Sequence, residues 1–466
     1  MKKNYGIVIA VCLVILYVAI RSFTVDVTHD EAYSFYNVKH FWYVESLCTA
    51  NTHWLNSIAI KIALLFGSES NWAIRWLSTF SAIVFFTICY FFIRSLNNIY
   101  QKLFACALLL FNLYVLDYFG LARGYASGLM FEAIAILLFI KSVREQRRSF
   151  AFLALLSAGL SAIGNYSFVY FFIAFSVIYF FCFHFKKGHS FFRSKAFYID
   201  AVLCLAVLGF IVRAWIFIIK CSMDLGAGTD SIKEVCTSFI NGLVYSKFTY
   251  SGTASTVITC LLLGLIIITC WYGIFKFKVH KKDIYFFCSL MLTIILFILA
   301  VNFFCLNIVL PYERSALFMF PLVCICIIYF VSEAFHFPGK NIVLIIYTVM
   351  SLFIFSRKAT LTYTLDFAPQ EYTRSVFNYI DSIGATNIGM GWQTYGVYRN
   401  YYQMTDKFKY HFKGLPLQDA DNITGFNYLL LTPPYSLAMF DITKLNFTAV
   451  KVFPKTNSVL VKVTKK

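Results

Sequence analysis

The first stretch of this sequence that can do chemistry is His29-Asp30-Glu31, which closely follows a long apolar run. A carboxylate within hydrogen-bond reach of a hydroxyl can act as a general base. The apolar run, residues 5–20, is just long enough to cross a bilayer with help from its flanking residues. The acids therefore lie close to a membrane surface, where they can meet a substrate with a lipid tail and a polar head. Ordinary solvated loop charges are the alternative interpretation.

Further polar side chains fall on the same predicted membrane face, in outer loops or at the outer ends of apolar runs. They are His53, Asp117, Arg123 and Arg314. Arginines suit a substrate phosphate, because a guanidinium is a planar fork of donors and a fixed cation stabilises developing charge. The alternative for each arginine is snorkelling along the interface, which we favour for Arg75 and Arg213. Glu132, inside a span, is either functional or structurally paired.

The composition predicts the scaffold that must position these side chains. Hydrophobic residues make up 60% of the 466 residues and charged residues only 13%. These values exclude a soluble globular protein and indicate a polytopic helical membrane protein, since a transmembrane barrel would show alternating ten-residue segments. The net charge is +18, and much of the excess positive charge lies in short loops at 141–148, 186–195 and 276–282. This is a topology signal and not a nucleic-acid-binding patch.

We predict about eleven transmembrane helices and two domains. The predicted spans are 4–22, 72–93, 103–119, 126–141, 151–164, 168–185, 198–219, 254–275, 284–305, 316–335 and 341–356. Residues 1–356 form the all-α membrane domain, whose outer loop 23–71 contains interfacial helices around 41–43 and 54–66. Residues 357–466 form a small soluble α/β domain. We expect its helix at 370–383 and its strands at 428–432, 448–453 and 459–463.

The positive-inside rule predicts the orientation. With the N-terminus in the cytoplasm, all three basic clusters fall in cytoplasmic loops, and the C-terminal domain lies outside the cytoplasm. Most of the 14 cysteines lie in apolar runs, where they act as small hydrophobic residues. Cys221 and Cys236 share one outer loop and could form a disulfide; the spacing leaves bonded and free states equally open.

Several short motifs, in order along residues 1–330, resemble the GT-C superfamily of polyprenyl-phosphate-sugar-dependent glycosyltransferases. The similarity is greatest to the bacterial branch near protein O-mannosyltransferases and the lipid A aminoarabinose transferase. The motifs are Asp30-Glu31, Asn51-Thr52-His53-Trp54-Leu55, Trp72-Ala73-Ile74-Arg75-Trp76, Leu121-Ala122-Arg123-Gly124-Tyr125-Ala126, Asn165-Tyr166-Ser167 and Tyr312-Glu313-Arg314. The prolines that follow the family's histidine are absent here, as is the histidine of its Thr-His-Tyr stretch.

The resemblance implies a bacterial inner-membrane enzyme that transfers a sugar from a polyprenyl-phosphate donor to an acceptor hydroxyl by an inverting reaction. The acceptor is a glycan, a lipid or a protein. Asp30 would be the base, with Glu31 orienting the acceptor and Asp117 completing the catalytic set. We expect Arg123, Arg314, Tyr125 and Tyr312 to bind the donor phosphate, and His53 to contact substrate. The expected site residues are thus Asp30, Glu31, His53, Asp117, Arg123, Tyr125, Tyr312 and Arg314.

Other assignments remain open. No cofactor is required, although a divalent metal between Asp30 and Asp117 is an option that no ligand spacing demands. A flippase or transporter of lipid-linked sugars would predict internal repeats and interrupted helices. A non-catalytic assembly protein of the cell envelope and a transferase like the O-antigen ligases are further alternatives. Membrane lipid is the expected surrounding, and nucleic acid is not an expected partner.

The predicted orientation can be tested by cysteine labelling. On a background without reactive thiols, a membrane-impermeant reagent added outside should modify Ala420→Cys and spare Gln146→Cys, because only the first lies on the outer face. Labelling of residue 146 with sparing of residue 420 would invert the whole topology.

Overall fold

We describe most of the chain in a computed structural model. The described residues are 5–40, 53–184, 194–220, 228–248, 252–275, 284–333, 339–370, 373–405, 410–417, 425–432, 445–454 and 458–465. Outside them lie the predicted interfacial segment 41–43, the start of the motif at 51–55, Cys221, and most of the basic clusters at 186–195 and 276–282. Cys236 is a free, buried thiol in the structure.

The chain is mostly helical, as predicted. Its α-helices are α1 (Tyr5–Thr24), α2 (His29–His40), α3 (Trp54–Leu65), α4 (Asn71–Ile74), α5 (Trp76–Ser95), α6 (Ile99–Leu109), α7 (Leu113–Phe119), α8 (Gly124–Glu145), α9 (Arg148–Gly164), α10 (Val169–Phe183), α11 (Lys195–Lys220), α12 (Ile232–Val244), α13 (Gly252–Phe275), α14 (Ile284–Leu306), α15 (Phe320–Glu333), α16 (Lys340–Lys358), α17 (Thr373–Ser382) and α18 (Trp392–Val397). Short 3₁₀ helices at Tyr166–Phe168 and Glu313–Met319 lead into α10 and α15, and another covers Leu365–Gln370.

Nine helical segments within the described residues are long and apolar enough to cross a membrane. The predicted span 103–119 is instead a bent pair of helices, since α6 and α7 meet at 53°. Neither helix is long enough to be a span by itself, but the two together could form one. The predicted span 151–164 is α9, which has 17 residues and is shorter than a usual crossing. The prediction of a polytopic helical membrane protein is confirmed, with nine or ten such helices among the described residues against about eleven predicted.

The bend between α6 and α7 has a local cause. The Asn112 side chain accepts a hydrogen bond from the Val115 backbone N–H at 3.0 Å, which caps the N-terminus of α7. An asparagine that bonds to its own downstream backbone competes with helix continuation and starts a new helix instead. The apolar pattern alone runs on through this break, and therefore predicts one span.

Contacts divide the chain into two compact units, which we name by their content. The helical unit comprises Met1–Ala19, Leu47–Asn56 and Leu77–Ala359. The sheet unit comprises Ile20–Ser46, Ser57–Trp76 and Thr360–Lys466. The sheet unit therefore includes parts of the predicted outer loop 23–71 together with the C-terminal segment, while the domain boundary at residue 356 stays a prediction.

Close helix contacts in the helical unit depend on small residues. The Ser161 hydroxyl of α9 donates to the Gly128 carbonyl of α8 at 2.8 Å, so these two helices approach through small side chains. At the ends of α9, α10 and α11, the buried Asp200 accepts hydrogen bonds from Tyr179 and Arg148, and His184 Nε2 lies 2.8 Å from its carboxylate. All three contacts reach the same carboxylate oxygen, Asp200 Oδ2, and they tie three helices together.

The sheet unit contains a five-stranded mixed sheet within its described residues. Its strands are β3 (Asn387–Met390), β4 (Lys413–Pro416), β5 (Tyr428–Leu431), β6 (Leu445–Phe453) and β7 (Ser458–Lys465); in the helical unit, β1 (Gly228–Thr229) pairs with β2 (Leu310–Pro311). The spatial order is β4-β3-β5-β7-β6, with β3 parallel to β4 and β5, and β7 antiparallel to its two neighbours.

Sequence reasoning found α17 and strands β5, β6 and β7, and these predictions are confirmed. It missed β3 and β4, which have four residues each and contain Gly389, Gly414 and Pro416. A Cβ at Gly389 would lie 2.7 Å from side-chain atoms of Leu417 and Leu429, so this glycine allows close packing inside the sheet.

Candidate active site

A buried ion pair in the sheet unit joins the first turn of α2 to the residue just before α5. The Glu31 and Arg75 side chains are both fully buried. Arg75 Nε donates to Glu31 Oε1 and Arg75 Nη2 donates to Oε2, each at 2.7 Å. This is the bidentate arrangement that gives strong, geometrically specific charge-assisted hydrogen bonds.

Thr28 completes the environment of the Glu31 carboxylate. The Thr28 backbone N–H and hydroxyl donate to Glu31 Oε2 at 3.0 and 3.1 Å, and the Glu31 N–H donates back to the Thr28 hydroxyl at 3.4 Å. This reciprocal pattern is a capping box, which begins α2 at its first turn. The Thr-x-x-Glu spacing of residues 28–31 is the sequence signal that predicts such a start.

Arg75 also holds the chain that joins α1 to α2. Its remaining donors reach the carbonyl oxygens of Ser22, Val25 and Asp26 at 3.3, 2.7 and 3.0 Å. Burial by itself lowers the pKa of the Arg75 guanidinium, but the charge and hydrogen bonds of Glu31 outweigh it and raise that pKa above its usual value. Arg75 therefore remains a cation that fixes the loop.

The expectation that Arg75 snorkels along the interface is wrong. Snorkelling requires the charged head to reach water, whereas the Arg75 side chain is buried and bonded to Glu31 and to three carbonyls. The Glu31 oxygens are already engaged by Arg75 and Thr28. This geometry supports a structural role for Glu31, and its predicted role in orienting an acceptor stays a prediction.

Asp30 occupies the first turn of α2, beside this ion pair in sequence. Its residue is 6% exposed, and His29 Nδ1 lies 3.5 Å from Asp30 Oδ1. Successive side chains on a helix point about 100° apart, so Asp30 and Glu31 face different directions. His29 is itself positioned by its N–H, which donates to the Gln370 side chain at 2.6 Å, and by an edge contact with the Trp392 ring.

In the helical unit, Asp117 lies on α7 and is bonded to a tyrosine. Its carboxylate oxygens lie 2.9 and 3.2 Å from the Tyr245 hydroxyl, and the Asp117 residue is 2% exposed. Tyr245 follows α12 in the left-handed region with a φ of 50°, and Lys358 Nζ donates to its carbonyl at 2.8 Å. Non-glycine residues in this conformation are strained and concentrate at functional sites.

Arg123 immediately precedes α8 in extended conformation and is 2% exposed. Its guanidinium lies 6.0 Å from the centroid of the Tyr125 ring, within the range of a cation–π contact. The His53 ring lies 5.5 Å from the same tyrosine ring. The structure thus brings together three of the predicted site residues, Arg123, Tyr125 and His53.

Gly124 makes this grouping sterically feasible. A Cβ at Gly124 would lie 2.0 Å from the Gly164 carbonyl oxygen and 2.7 Å from the His53 side chain. Neither the backbone nor the buried imidazole can coexist with that atom, so only glycine lets the start of α8 approach both. The glycine of the Arg-Gly-Tyr stretch is therefore required by packing.

Tyr312 and Arg314 flank a strained residue at the start of a 3₁₀ helix. Glu313 has a φ of 50°, and its N–H donates to the Ser238 hydroxyl of α12 at 3.3 Å. The Tyr312 N–H donates to the Ser315 side chain at 2.7 Å. Both Tyr312 and Arg314 are half-buried, on a segment that packs against α8 and α12. The elements that carry Asp117, Arg123 and Arg314 therefore belong to one packed group.

Other predicted sites have less support. Glu132 is fully buried in α8, and neither carboxylate oxygen has a hydrogen-bond partner among the described residues, so the structural pairing that was one of its two interpretations is not found there.

Among the described residues, no group of three or more His, Cys, Asp or Glu side chains could hold a metal ion. Asp30 belongs to the sheet unit and Asp117 to the helical unit, and metal binding by this pair stays a prediction.

Sequence reasoning missed Arg75, Thr28 and Tyr245 as structural partners of the candidate acids. The capping-box spacing could have identified Thr28. An arginine directly before an apolar span and after an acid-rich loop is a weak signal for Arg75. Nothing local predicts Tyr245, which is 128 positions from Asp117.

Removing one partner of the buried pair should destabilise the protein. Glu31→Gln leaves the Arg75 cation buried without its counter-charge, which typically costs about 3–5 kcal/mol. Thermal unfolding of the purified protein in detergent should show a clear fall in midpoint temperature.

Glu69→Gln is the matched control, because it breaks a Lys39–Glu69 pair whose side chains are each 31% exposed. A partly exposed pair contributes about 0–1 kcal/mol, so this variant should unfold close to the wild-type temperature. Equal losses in the two variants would contradict the anchoring role of the buried pair.

Comparison with known proteins supports the fold. No family model and no curated protein matches the sequence. Among solved structures, the chain is similar to ArnT from Cupriavidus metallidurans in the apo state, at 11% sequence identity and a TM-score of 0.52. The alignment covers 98% of this chain and 97% of ArnT. The fold that the sequence motifs imply is thereby confirmed, and the chain has a GT-C-like fold similar to that of ArnT.

Proposed function

We propose that this protein is a membrane glycosyltransferase that moves a sugar from a polyprenyl-phosphate donor to an acceptor hydroxyl. The observation that carries the proposal is the similarity to ArnT over nearly the whole chain, which includes the C-terminal sheet unit as well as the spans. It is supported by a buried carboxylate at Asp30, which is next in sequence to the Glu31–Arg75 ion pair, and by a buried cation at Arg123.

In the proposed reaction, Asp30 is the general base. The Asp30 carboxylate takes the proton of the acceptor hydroxyl while that oxygen attacks the anomeric carbon of the donor sugar. The bond from that carbon to the phosphate oxygen breaks, and the polyprenyl phosphate leaves with the electron pair. Phosphate is a good leaving group, so the reaction needs no strong general acid. Attack opposite the leaving group inverts the anomeric configuration.

The separate roles of the two adjacent acids support the assignment of the base. Glu31 is engaged by Arg75, while Asp30 points in another direction from the same helical turn. His29 Nδ1, 3.5 Å from Asp30 Oδ1, helps to orient the carboxylate. A base held in this way loses little conformational freedom when the substrate binds.

Arg123 and Arg314 are the proposed phosphate ligands, together with the hydroxyls of Tyr125 and Tyr312. Arg123 lies just before the N-terminus of α8, where the helix dipole also favours an anion. Negative charge grows on the phosphate as the bond to the sugar breaks, so fixed cations there stabilise the transition state more than the ground state. His53, beside Tyr125, would line the same part of the site.

We place the reaction at the outer face of the bacterial inner membrane, with the N-terminus in the cytoplasm and the C-terminal unit outside. The donor's polyprenyl tail would lie in the bilayer among the spans. A carbohydrate, a lipid or a protein would supply the acceptor hydroxyl.

A flippase for lipid-linked sugars is the second candidate, favoured by one observation. The α6–α7 pair is an interrupted helix, a feature that transporters use for binding at the membrane midplane. Flipping requires no base, so the two functions differ in their dependence on Asp30.

Asp30→Asn keeps the size of the side chain and removes its ability to accept a proton. The rate of transfer should fall by about 10²–10⁴-fold, the usual contribution of general-base catalysis. The measurement is sugar transfer from a polyprenyl-phosphate donor to an added acceptor by protein reconstituted in liposomes, with donor binding measured in parallel.

Donor affinity should persist in Asp30→Asn, and the exposed Asp230→Asn serves as the control with normal transfer. Unchanged transfer in Asp30→Asn would remove the base assignment, whereas donor binding without any transfer by the wild-type protein would favour the flippase.

Arg123→Ala and Arg314→Ala should each lower the transfer rate by about 10²–10³-fold, because each removes a fixed positive charge from the developing phosphate anion. Arg→Lys should restore only part of the rate, since a point charge does not replace a planar fork. The same liposome assay measures both effects.

Arg213→Ala is the matched control, because Arg213 is exposed on α11 and contacts the Phe217 ring at 5.8 Å. Folded Arg123→Ala and Arg314→Ala proteins that turn over like Arg213→Ala would show that these arginines do not bind the phosphate.

A further inference from the structure

The sheet unit contains a cavity that none of the proposed catalytic roles uses. Its volume is about 440 Å³, and its wall is formed by the end of α1, the segment 67–72, Arg374 of α17, and Tyr401 and Thr405 beyond α18. A cavity of this size can hold a single sugar ring, and its wall combines a few aromatic rings with convergent polar groups, as ligand sites do.

One side of the cavity is an aromatic platform. The Phe23 and Trp72 rings are stacked, with centroids 5.9 Å apart and planes inclined by 25°. These residues are 59% and 48% exposed, so ring surface remains open to a ligand. The C–H groups on one face of a pyranose pack well against such a surface, while its hydroxyls remain at the rim.

The other side of the cavity is polar and carries both donors and acceptors. The Asn71 side-chain oxygen lies 2.9 Å from the Tyr401 hydroxyl and 3.5 Å from Arg374 Nη2. Glu69 accepts a hydrogen bond from Lys39 at 2.6 Å. Amide, guanidinium and carboxylate groups are planar and reach pairs of neighbouring hydroxyls.

The charges on this side are balanced, which favours a sugar ring over a phosphate. The Arg374 side chain lies near Asp26, with Nε 3.9 Å from Oδ1, and the Arg374 N–H donates to Oδ2 at 3.0 Å. Lys39 and Glu69 form the second balanced pair. A phosphate site would instead present surplus positive charge, whereas hydroxyl groups are recognised by balanced donors and acceptors.

The polar side is connected to the loop that carries Asp30. Asn71 donates to the Val25 carbonyl at 3.3 Å, and the same carbonyl accepts from Arg75 at 2.7 Å. Asp26, which faces Arg374, is four positions before Asp30 and is held by Arg75 through its carbonyl. A ligand in the cavity would therefore have a defined position relative to the segment that bears the candidate base.

We propose that this cavity binds a sugar ring of the acceptor, with Phe23 and Trp72 stacking on the ring and Asn71 and Arg374 bonding its hydroxyls. The sugar's role as part of the acceptor rests on the proposed transferase function, but the binding itself does not.

The test uses the full-length protein in nanodiscs, labelled with 5-fluorotryptophan and observed by fluorine NMR. The Trp72 and Trp271 resonances are assigned by their loss in Trp72→Phe and Trp271→Phe. The probes are methyl glycosides of hexoses, N-acetylhexosamines, pentoses and hexuronic acids. At least one probe should shift the Trp72 resonance saturably, and Phe23→Ala and Arg374→Gln should each weaken that binding about tenfold.

Trp271 is the matched control, because it stacks on Phe275 with centroids 5.6 Å apart and is 66% exposed on α13. Its resonance should not respond to the probes. The proposal is overturned if no glycoside shifts Trp72, or if both tryptophans shift alike. It is also overturned if Trp72 responds only when phosphatidylcholine in the disc is replaced by phosphatidylglycerol, which would make it a membrane-interface anchor.

The titration contains no donor, so it separates this inference from the transferase function. A saturable Trp72 shift in a protein without transfer activity would keep the sugar site and remove the proposed function. Transfer activity without any Trp72 shift would keep the function and remove the sugar site.

Discussion

The ion pair between Glu31 and Arg75 is the interaction on which the segment between α1 and α2 depends. Removing two charges from water costs several kcal/mol for each ion, and only close, complete hydrogen bonding offsets that cost. Here the two groups meet through a pair of 2.7 Å bonds, and the other guanidinium donors are used by carbonyls of residues 22–26. Because any other loop path would leave the buried cation with unmet donors, the chain between α1 and α2 has one favoured conformation.

This arrangement gives the two adjacent acids different surroundings. Glu31 secures the first turn of α2, and the helix geometry then determines the direction of Asp30. The same loop carries Asp26 and Val25, whose contacts with Arg374 and Asn71 shape the polar side of the cavity in the sheet unit. Catalytic geometry and acceptor recognition would thus depend on a single segment of backbone.

The sequence predicted the helical class well because spans require long apolar runs that nothing else in a protein resembles. It predicted strands with alternating or β-branched residues but not β3 and β4, whose few residues and glycines carry little pattern. The bend at Asn112 was missed because one capping side chain interrupts an otherwise continuous apolar run.

The site was predicted less completely than the fold. The candidate acids and arginines stand out as charged residues at the ends of apolar runs. Arg75 was misjudged because sequence cannot tell whether the end of a span is covered by protein or by lipid headgroups. Tyr245 was missed for another reason, since its bond to Asp117 joins residues 128 positions apart and depends on tertiary packing.

The order of strands in the sheet unit has a consequence for contacts between neighbouring copies of the protein. The outermost strands, β4 and β6, present backbone that could pair with a strand of another molecule. Strand β4 has only four residues and ends at Pro416, which has no N–H to donate. Strand β6 has a register shift between Ala449 and Lys451, which interrupts its regular ladder. Both sheet margins are therefore poor templates for strand addition, so crowding in the membrane plane should not join neighbouring copies through their sheets.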